Sequence, residues 1–312
     1  MKIRKATEND IPAIVQVLKA SLGEDQLELS EKVWRYKHVD NPYGKSIVLI
    51  AEENSQIIGV RALMRWQWQQ GEMKYEALRA VDTATHPKHQ GKGIFKKLTL
   101  QAIEIAKKNG DHFIFNTPNE QSRPGYLKMG WDQVGKVNIG IKPSLNFLKF
   151  KLPTKYKVKK KNSISEIDNL CGKWNTNLRK KSGLFTIKSA EILKWRYEKN
   201  PLQKYEVVTG EGYYIAAYIK NRGKVKEFRI AECIFDEKVI GRKELQKVIK
   251  KIGSGFSFHV MSFSPKLLSL NGKKGDFGPI LTLNALNLRS SEETGFLNIK
   301  NWHNSLGDLE LF

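Results

Sequence analysis

Apolar positions in the first 140 residues switch between two periods, and the switches mark out the elements. Residues 1–7 (MKIRKAT) alternate apolar and polar side chains as a strand does. Ile11, Ile14, Val15, Val17 and Leu18 then follow helical spacing, with Asn9 or Asp10 placed to cap the first turn. Residues 46–53 (SIVLIAEE) and 56–69 (QIIGVRALMRWQWQ) predict two strands joined at Glu53-Asn54-Ser55. Residues 76–87 (EALRAVDTATHP) predict another strand, closed by His86-Pro87. From about Gly93 a helix is expected, with Phe95, Leu98, Ala102 and Ile105 on one face and Gly110 as its stop. Residues 111–117 (DHFIFNT) read as a short buried strand. The order is strand, helix, helix, three strands, helix, strand, helix. It predicts a mixed sheet with helices against it, an α+β organisation. Trp66 and Trp68 alternate with Met64 on one strand face, which suits core or domain-interface packing, or the wall of an acceptor pocket.

A short repeat extends this pattern. Residues 34–42 read WRYKHVDNP and residues 195–201 read WRYEKNP. Each follows a helical stretch and precedes a strand pair, so the chain reads as a duplicated fold. The expected division is a first domain over 1–142, a basic linker over 143–162 and a second domain over 163–312. In the second copy the helix RKELQKVIKKIG follows Val239-Ile240-Gly241, without the glycine loop of the first.

Length and composition narrow the class. At 312 residues and 40% hydrophobic content the chain has material for two folded domains. No window is apolar enough to cross a membrane, and the N-terminus lacks the apolar core of a signal peptide. Cys171 and Cys233 stand far apart with no metal-binding spacing around them, so a reducing cytoplasm is the expectation. The net charge of +22 is uneven: residues 1–140 hold 21 Lys/Arg against 16 Asp/Glu, and the rest hold 33 against 16. Such an excess fits a solvated surface, an anionic small molecule or a polyanion. No helix-turn-helix, zinc finger or RNP motif supports nucleic acid as partner.

The stretch His86 to Gly110 (HPKHQGKGIFKKLTLQAIEIAKKNG) carries the chemistry. Gly91 and Gly93 precede a helix whose free N–H groups and dipole point at whatever lies there. Lys88, His89 and Lys92 add positive potential, so the ligand should be a phosphate or pyrophosphate. The spacing is not that of a P-loop, and Lys96 stands where a dinucleotide loop needs its third glycine. His86 and His89 flank a proline with no third ligand at useful spacing, so no metal is expected.

The run THPKHQGKGIF resembles the acyl-CoA signature of the GNAT superfamily, roughly V-x-P-x-x-[RQ]-G-x-G-x-[GA]. Residues 118–131 (PNEQSRPGYLKMGW) are similar to the same family's N-x(6)-Y-x-K-x-G-[FW] segment. The resemblance covers about residues 1–135. It implies two GNAT-like domains in tandem, the second degenerate, with some likeness to the enhanced-intracellular-survival acetyltransferases. It further implies acetyl-CoA as donor, with Thr83, Ala84 and Thr85 along the pantetheine and Gln90, Gly91, Lys92, Gly93, Ile94 and Phe95 at the pyrophosphate. Phe95 departs from the usual Gly or Ala and has to turn toward the core. By the same resemblance Tyr126 is the general acid for the leaving thiolate and Asn119 bonds the cofactor or a water.

Acetyl transfer to an amine also needs a base and a donor for the carbonyl oxygen. Asp82 is the favoured base. Glu76, Glu120 and the carboxylate of Phe312 are alternatives, and each can act through water. The implied function is transfer of an acetyl group to a primary amine of a small anionic acceptor, such as a nucleotide-linked amino sugar. The alternatives are acylation of a polymer or protein amine, or acyl-CoA binding without turnover.

Overall fold

The computed structural model describes residues 1–23, 30–145, 147 and 162–310. Strand β1 (Lys2–Lys5) leads to helices α1 (Ile11–Leu22) and α2 (Glu31–His38). A meander follows, of β2 (Ile47–Glu53), β3 (Gln56–Gln70) and β4 (Met73–Thr85). Then come α3 (Ile94–Lys108), β5 (Phe113–Asn116), α4 (Arg123–Leu127), β6 (Asp132–Lys136) and β7 (Ile139–Pro143). Downstream, α5 (Ile164–Arg179), β8 (Phe185–Thr186) and α6 (Ala190–Leu193) run into a π-helical turn at Lys194–Glu198. A second meander of β9 (Glu206–Gly210), β10 (Tyr213–Arg222) and β11 (Val225–Phe235) is followed by α7 (Arg242–Gly253) and β12 (Val260–Phe263). The remainder forms β13 (Lys273–Gly275), β14 (Ile280–Ala285), α8 (Ser290–Phe296) and α9 (Leu306–Leu309).

The two halves share a topology. In each, three antiparallel strands lead through a helix to a strand parallel to the third: β4 to β5 through α3, and β11 to β12 through α7. The repeated WRY segments meet at the junction. Tyr36 Oη donates to the carbonyl of Trp195 (2.8 Å), Trp195 Nε1 donates to the carbonyl of Tyr36 (3.0 Å), and their rings stack at 5.1 Å. Trp66 and Trp68 also lie at this junction, Trp66 Nε1 donating to Thr186 Oγ1 and Trp68 standing edge-on to Trp302.

The sheets exchange strands, however, so a cut at residue 142 does not separate them. Strand β14 inserts between β5 and β6 in the first sheet, and β8 pairs with β3. In return β7, which spans residue 142, sits between β13 and β12 of the second sheet. Most of the basic linker lies outside the described residues. Asp10 occupies the N-cap of α1 but makes no capping bond there. Its carboxylate instead accepts from Arg4 and the backbone N–H of Thr7.

Three apolar layers fix the first sheet. Helix α1 packs over Val60, Ala62 and Ala84, α3 packs over Leu63, Leu78 and Ala80, and Trp66, Trp68, Val81 and Phe115 face the second half. Gly59 lets α3 approach: a Cβ there would stand 2.7 Å from Ile94 Cγ2 and 3.3 Å from Leu98 Cδ1. Gly59→Ala is therefore expected to destabilise the fold by about 1–3 kcal/mol through overpacking. Because Ile94 opens α3, the same change should weaken binding of the coenzyme A that the sequence resemblance implies. Chemical denaturation and calorimetry read the two effects, and unchanged values in both would show that α3 moves freely.

Candidate active site

Helix α3 starts at Ile94, with Gly93 as its N-cap at φ +71° and Gly91 at φ +77°. Both glycines adopt the left-handed region that costs an L-residue energy, and a Cβ at either would meet nothing within 4 Å. The loop is therefore glycine-bearing for its backbone shape, not for crowding. No side chain caps the helix, and the N–H groups of its first turn find no acceptor among the described residues. Gln90, Gly91, Lys92 and Gly93 are all exposed around that open end, and Gln90 Nε2 reaches back to the carbonyl of Thr85 (3.4 Å). His89 Nδ1 lies 3.4 Å from Glu53 Oε2 and 3.5 Å from Lys92 Nζ.

Beside this loop the sheet opens. Parallel pairing of β4 with β5 ends at Arg79–Phe115, while β4 continues to Thr85. Thr83, Ala84 and Thr85 pair with Arg61, Val60 and Gly59 on one side only. Their free edge and the end of β5 bound a cleft that opens where the β4–β5 pairing stops. Asp82 stands out of register in a β-bulge between these pairs, with φ +40°.

Tyr126 on α4 lies beside Arg61, the partner of Thr83 across β3 and β4, and is 4% exposed. Its ring meets Trp131 (5.0 Å between centroids) and Phe95 (5.6 Å), both edge-on. Phe95 is thus half-buried against Tyr126, and Ile94 is the side chain that enters the core. The Tyr126 oxygen accepts from Arg61 Nη1 at 2.7 Å, which leaves its own O–H free to donate elsewhere. Arg61 is fully buried, and its Nε and Nη2 have no partner among the described residues. Sequence reading missed it. The available signal was a charged residue at an inward position of the apolar run QIIGVRALM. Asn119, expected at the cofactor, spends its Oδ1 on the N–H and hydroxyl of Ser122 (2.9 and 2.8 Å). It shapes the turn that carries Tyr126.

The expected bases are placed as follows. The Asp82 carboxylate is committed to Lys37 Nζ and to His38 Nε2 (2.7 Å). Burial alone would raise this carboxyl, but the Lys37 charge and the His38 bond hold it well below the usual carboxylate range. Burial pulls His38 down from its ordinary value, so its neutral ring donates to Asp82 and accepts from Ser46 Oγ (2.8 Å). That is a tether for the bulge, and an engaged, weakly basic carboxylate is poorly suited to take a proton. Glu76 accepts from Gln67 near the start of β4, and Glu120 is exposed. Phe312 lies outside the described residues.

A cavity of about 430 Å³ opens past the end of β5, where the two sheets meet. Thr117 borders it from the first sheet, and Tyr218, Lys220, Arg222 and Arg229 from the second. One wall is the segment 304–310, which both sheets grip. Arg79, at the last β4–β5 pair, donates to the carbonyls of Asp308 (3.1 Å), Leu309 (2.5 Å) and Glu310 (2.7 Å). Arg229, at the last β11–β12 pair, donates to Glu310 Oε1 (2.5 Å). Arg196 bonds the carbonyls of Gly307 and Glu310, and Lys188 bonds Asp308 and Glu232. Cys171 and Cys233 are free and buried; burial pushes the Cys171 thiol up to about 12 and raises Cys233 as well. No cluster of three metal-binding side chains and no helix long and apolar enough to cross a membrane occurs among the described residues.

Comparison with known proteins agrees with this geometry. Residues 2–134 match the family model described as an acetyltransferase (GNAT) domain. A probable N-acyltransferase from Enterococcus faecalis superposes with TM-score 0.65 at 12% identity, over 92% of this chain and 73% of that one. A GCN5-related N-acetyltransferase from Anabaena variabilis gives 0.63 at 13%, over 92% and 73%. Eis1 from Mycobacterium abscessus gives 0.56 at 10%, over 96% and 76%. At such identities these structures speak for the fold. No curated protein matches the chain by sequence. Residues 2–134 are thus similar to a GNAT acetyltransferase domain, and the solved structures share its fold.

Proposed function

We propose that the protein transfers an acetyl group from acetyl-CoA directly to a primary amine of a small anionic acceptor, with a nucleotide-linked amino sugar among the compounds that fit. The observation that carries this reading is the β4–β5 cleft. Beyond Arg79 the edge of β4 is unpaired, Tyr126 lies beside Arg61 of the neighbouring strand, and Thr117, just past the end of β5, borders the cation-lined cavity. Lys220, Arg222 and Arg229 line it against one carboxylate, Glu310, which disfavours a cationic acceptor.

In this reading the amides of the α3 N-terminus hold the diphosphate, and the free edge of Thr83 to Thr85 aligns the acyl arm. A backbone N–H at the Asp82 bulge faces the thioester oxygen as charge develops, and the Lys37–His38–Asp82 tether fixes that amide in place. Tyr126 gives its proton to the departing thiolate, and Arg61 steadies the phenolate left behind. The acceptor amine loses its proton to water on the cavity side, and the phenolate regains one from solvent after the thiol leaves. Neither cysteine is accessible for a covalent acetyl intermediate, which favours direct transfer.

Calorimetry with acetyl-CoA and a thiol-release assay across anionic, neutral and cationic amines test the proposal. Gly93→Asp should weaken coenzyme A binding by about 10- to 100-fold, from left-handed strain plus a carboxylate facing the diphosphate. Thermal melting should fall by only a few degrees, since the left-handed φ costs about 1–2 kcal/mol and no neighbour crowds that position. Equal affinity in the variant would move the diphosphate elsewhere and end this reading.

A further inference from the structure

Helix α7 is amphipathic, and its two faces meet different surroundings. Leu245, Ile249 and Ile252 are buried in the second core. The outward side carries Arg242, Lys243, Lys247, Lys250 and Lys251 against the single acid Glu244. Where α7 passes β7 and β12, a cavity of about 360 Å³ opens to solvent. Lys142, Lys243, Lys247 and Lys250 rim it, and no acidic side chain lines it among the described residues. Lys247 is paired with Glu244 (3.2 Å). The side chains of Lys142, Lys243 and Lys250 are exposed and make no hydrogen bond or ion pair among the described residues. The base of the cavity is apolar, formed by Ile249, Phe258, Met261 and Leu270. Beside it the chain leaves β7 through Ser144, which lines the cavity and donates its backbone N–H to the carbonyl of His259 (2.8 Å). Two large apolar side chains follow. Leu145 is 72% exposed, and Phe147, stacked on His259 at 4.7 Å, is 40% exposed.

Unpaired cations around an apolar hollow, with exposed apolar side chains at its rim, complement acidic headgroups lying over hydrocarbon. We propose that this face docks on an anionic phospholipid bilayer, with the three free lysines against headgroup phosphates and with Leu145 and Phe147 in the interface. A nucleic acid would answer the lysines and leave Leu145 idle, and a soluble phosphate would gain nothing from the apolar rim. Lysine stems lie along apolar surface while their ammonium groups stay wet, so the contact requires no rearrangement of α7. Attachment is peripheral: the apolar stripe of α7 stays in the core, and no helix among the described residues is long and apolar enough to cross a membrane. The face belongs to the second sheet, and the proposal stands apart from the acetyl-transfer reading.

Co-sedimentation of the full chain with vesicles tests this, using phosphatidylcholine alone or with about one third phosphatidylglycerol at about 0.1 M salt. Acidic vesicles should bind at least about tenfold more tightly than neutral ones. The combined variant Lys142→Gln, Lys243→Gln, Lys250→Gln should lower that partition by about 100-fold, each lysine near the surface contributing roughly fivefold. Leu145→Ser should lower it by about tenfold, a loss that persists at high salt where the lysine effect fades. The chain carries a net charge of +22, so a control of equal charge change is needed. Lys74→Gln, Lys107→Gln, Lys108→Gln, on the exposed surface of the first half, should bind acidic vesicles nearly as the parent does. None of these six lysine side chains makes a hydrogen bond or ion pair among the described residues, so thermal melting should be unchanged in both triple variants. Equal loss in the two triple variants, equal binding to neutral and acidic vesicles, or binding untouched by Leu145→Ser overturns the proposal. Binding to polyadenylate without binding to vesicles overturns it too and assigns the face to nucleic acid.

Discussion

Tyr126→Phe is expected to lower kcat for thiol release by about 100-fold or more while coenzyme A affinity stays as it was. The ring keeps its packing against Phe95 and Trp131, so only the hydroxyl is lost. That hydroxyl accepts from a buried guanidinium and has its proton to spare. A companion variant, Arg61→Met, should lower kcat by about 10- to 100-fold with KM unchanged, because the bond from Arg61 strengthens as the phenolate forms. Removing a guanidinium with two unpartnered nitrogens should not harm the fold. Should Tyr126→Phe turn over at the wild-type rate, the hydroxyl is a packing group and the thiolate draws its proton from water.

Lys188→Met should cost about 3–5 kcal/mol of stability. Lys188 is buried between two carboxylates, with Nζ 2.6 Å from Glu232 Oε2 and 2.5 Å from Asp308 Oδ1. Burial alone pulls this ammonium down, and Asp308 and Glu232 more than offset it, leaving it raised. Without the cation, two buried carboxylates face each other with no counter-charge. Adding Glu232→Gln to Lys188→Met should recover part of the loss, since one of the two negative charges is then gone. The measurement is a chemical denaturation midpoint with its slope. A loss under about 1 kcal/mol would show that water reaches the triad and that the segment 304–310 is held mainly by Arg79, Arg196 and Arg229.

Local features were legible in the sequence. The loop at Gly91 and Gly93 and the helix it opens lie inside one short stretch, where backbone geometry dictates the residue type, whereas Tyr126 was singled out by the family resemblance alone. The two meanders were legible as well, because a strand half-buried on one face writes a period of two. Strand β14 was not. Its residues 280–285 (ILTLNA) read as a short apolar run, and nothing local says that it will lie between β5 and β6. Asp82 was marked as an unusual acid on an apolar strand, but its partners Lys37 and His38 sit on a helix far upstream. Two arginines went unnoticed for the same reason. Arg79-Ala-Val-Asp82 and Arg229-Ile-Ala-Glu232 share a spacing that would have aligned the third strands of the two halves. Each arginine ends a parallel pairing, and both grip residue 310.

The placement of β14 bears on how the molecule comes to exist. During synthesis β5 and β6 emerge long before the strand that must lie between them, so for that interval each presents a bare edge, that of β5 apolar. Closing the gap joins distant parts of the chain, which slows folding and lengthens exposure to aggregation. The donor half is consequently no detachable module. A ribosome must deliver nearly the whole polypeptide before the first sheet can be completed.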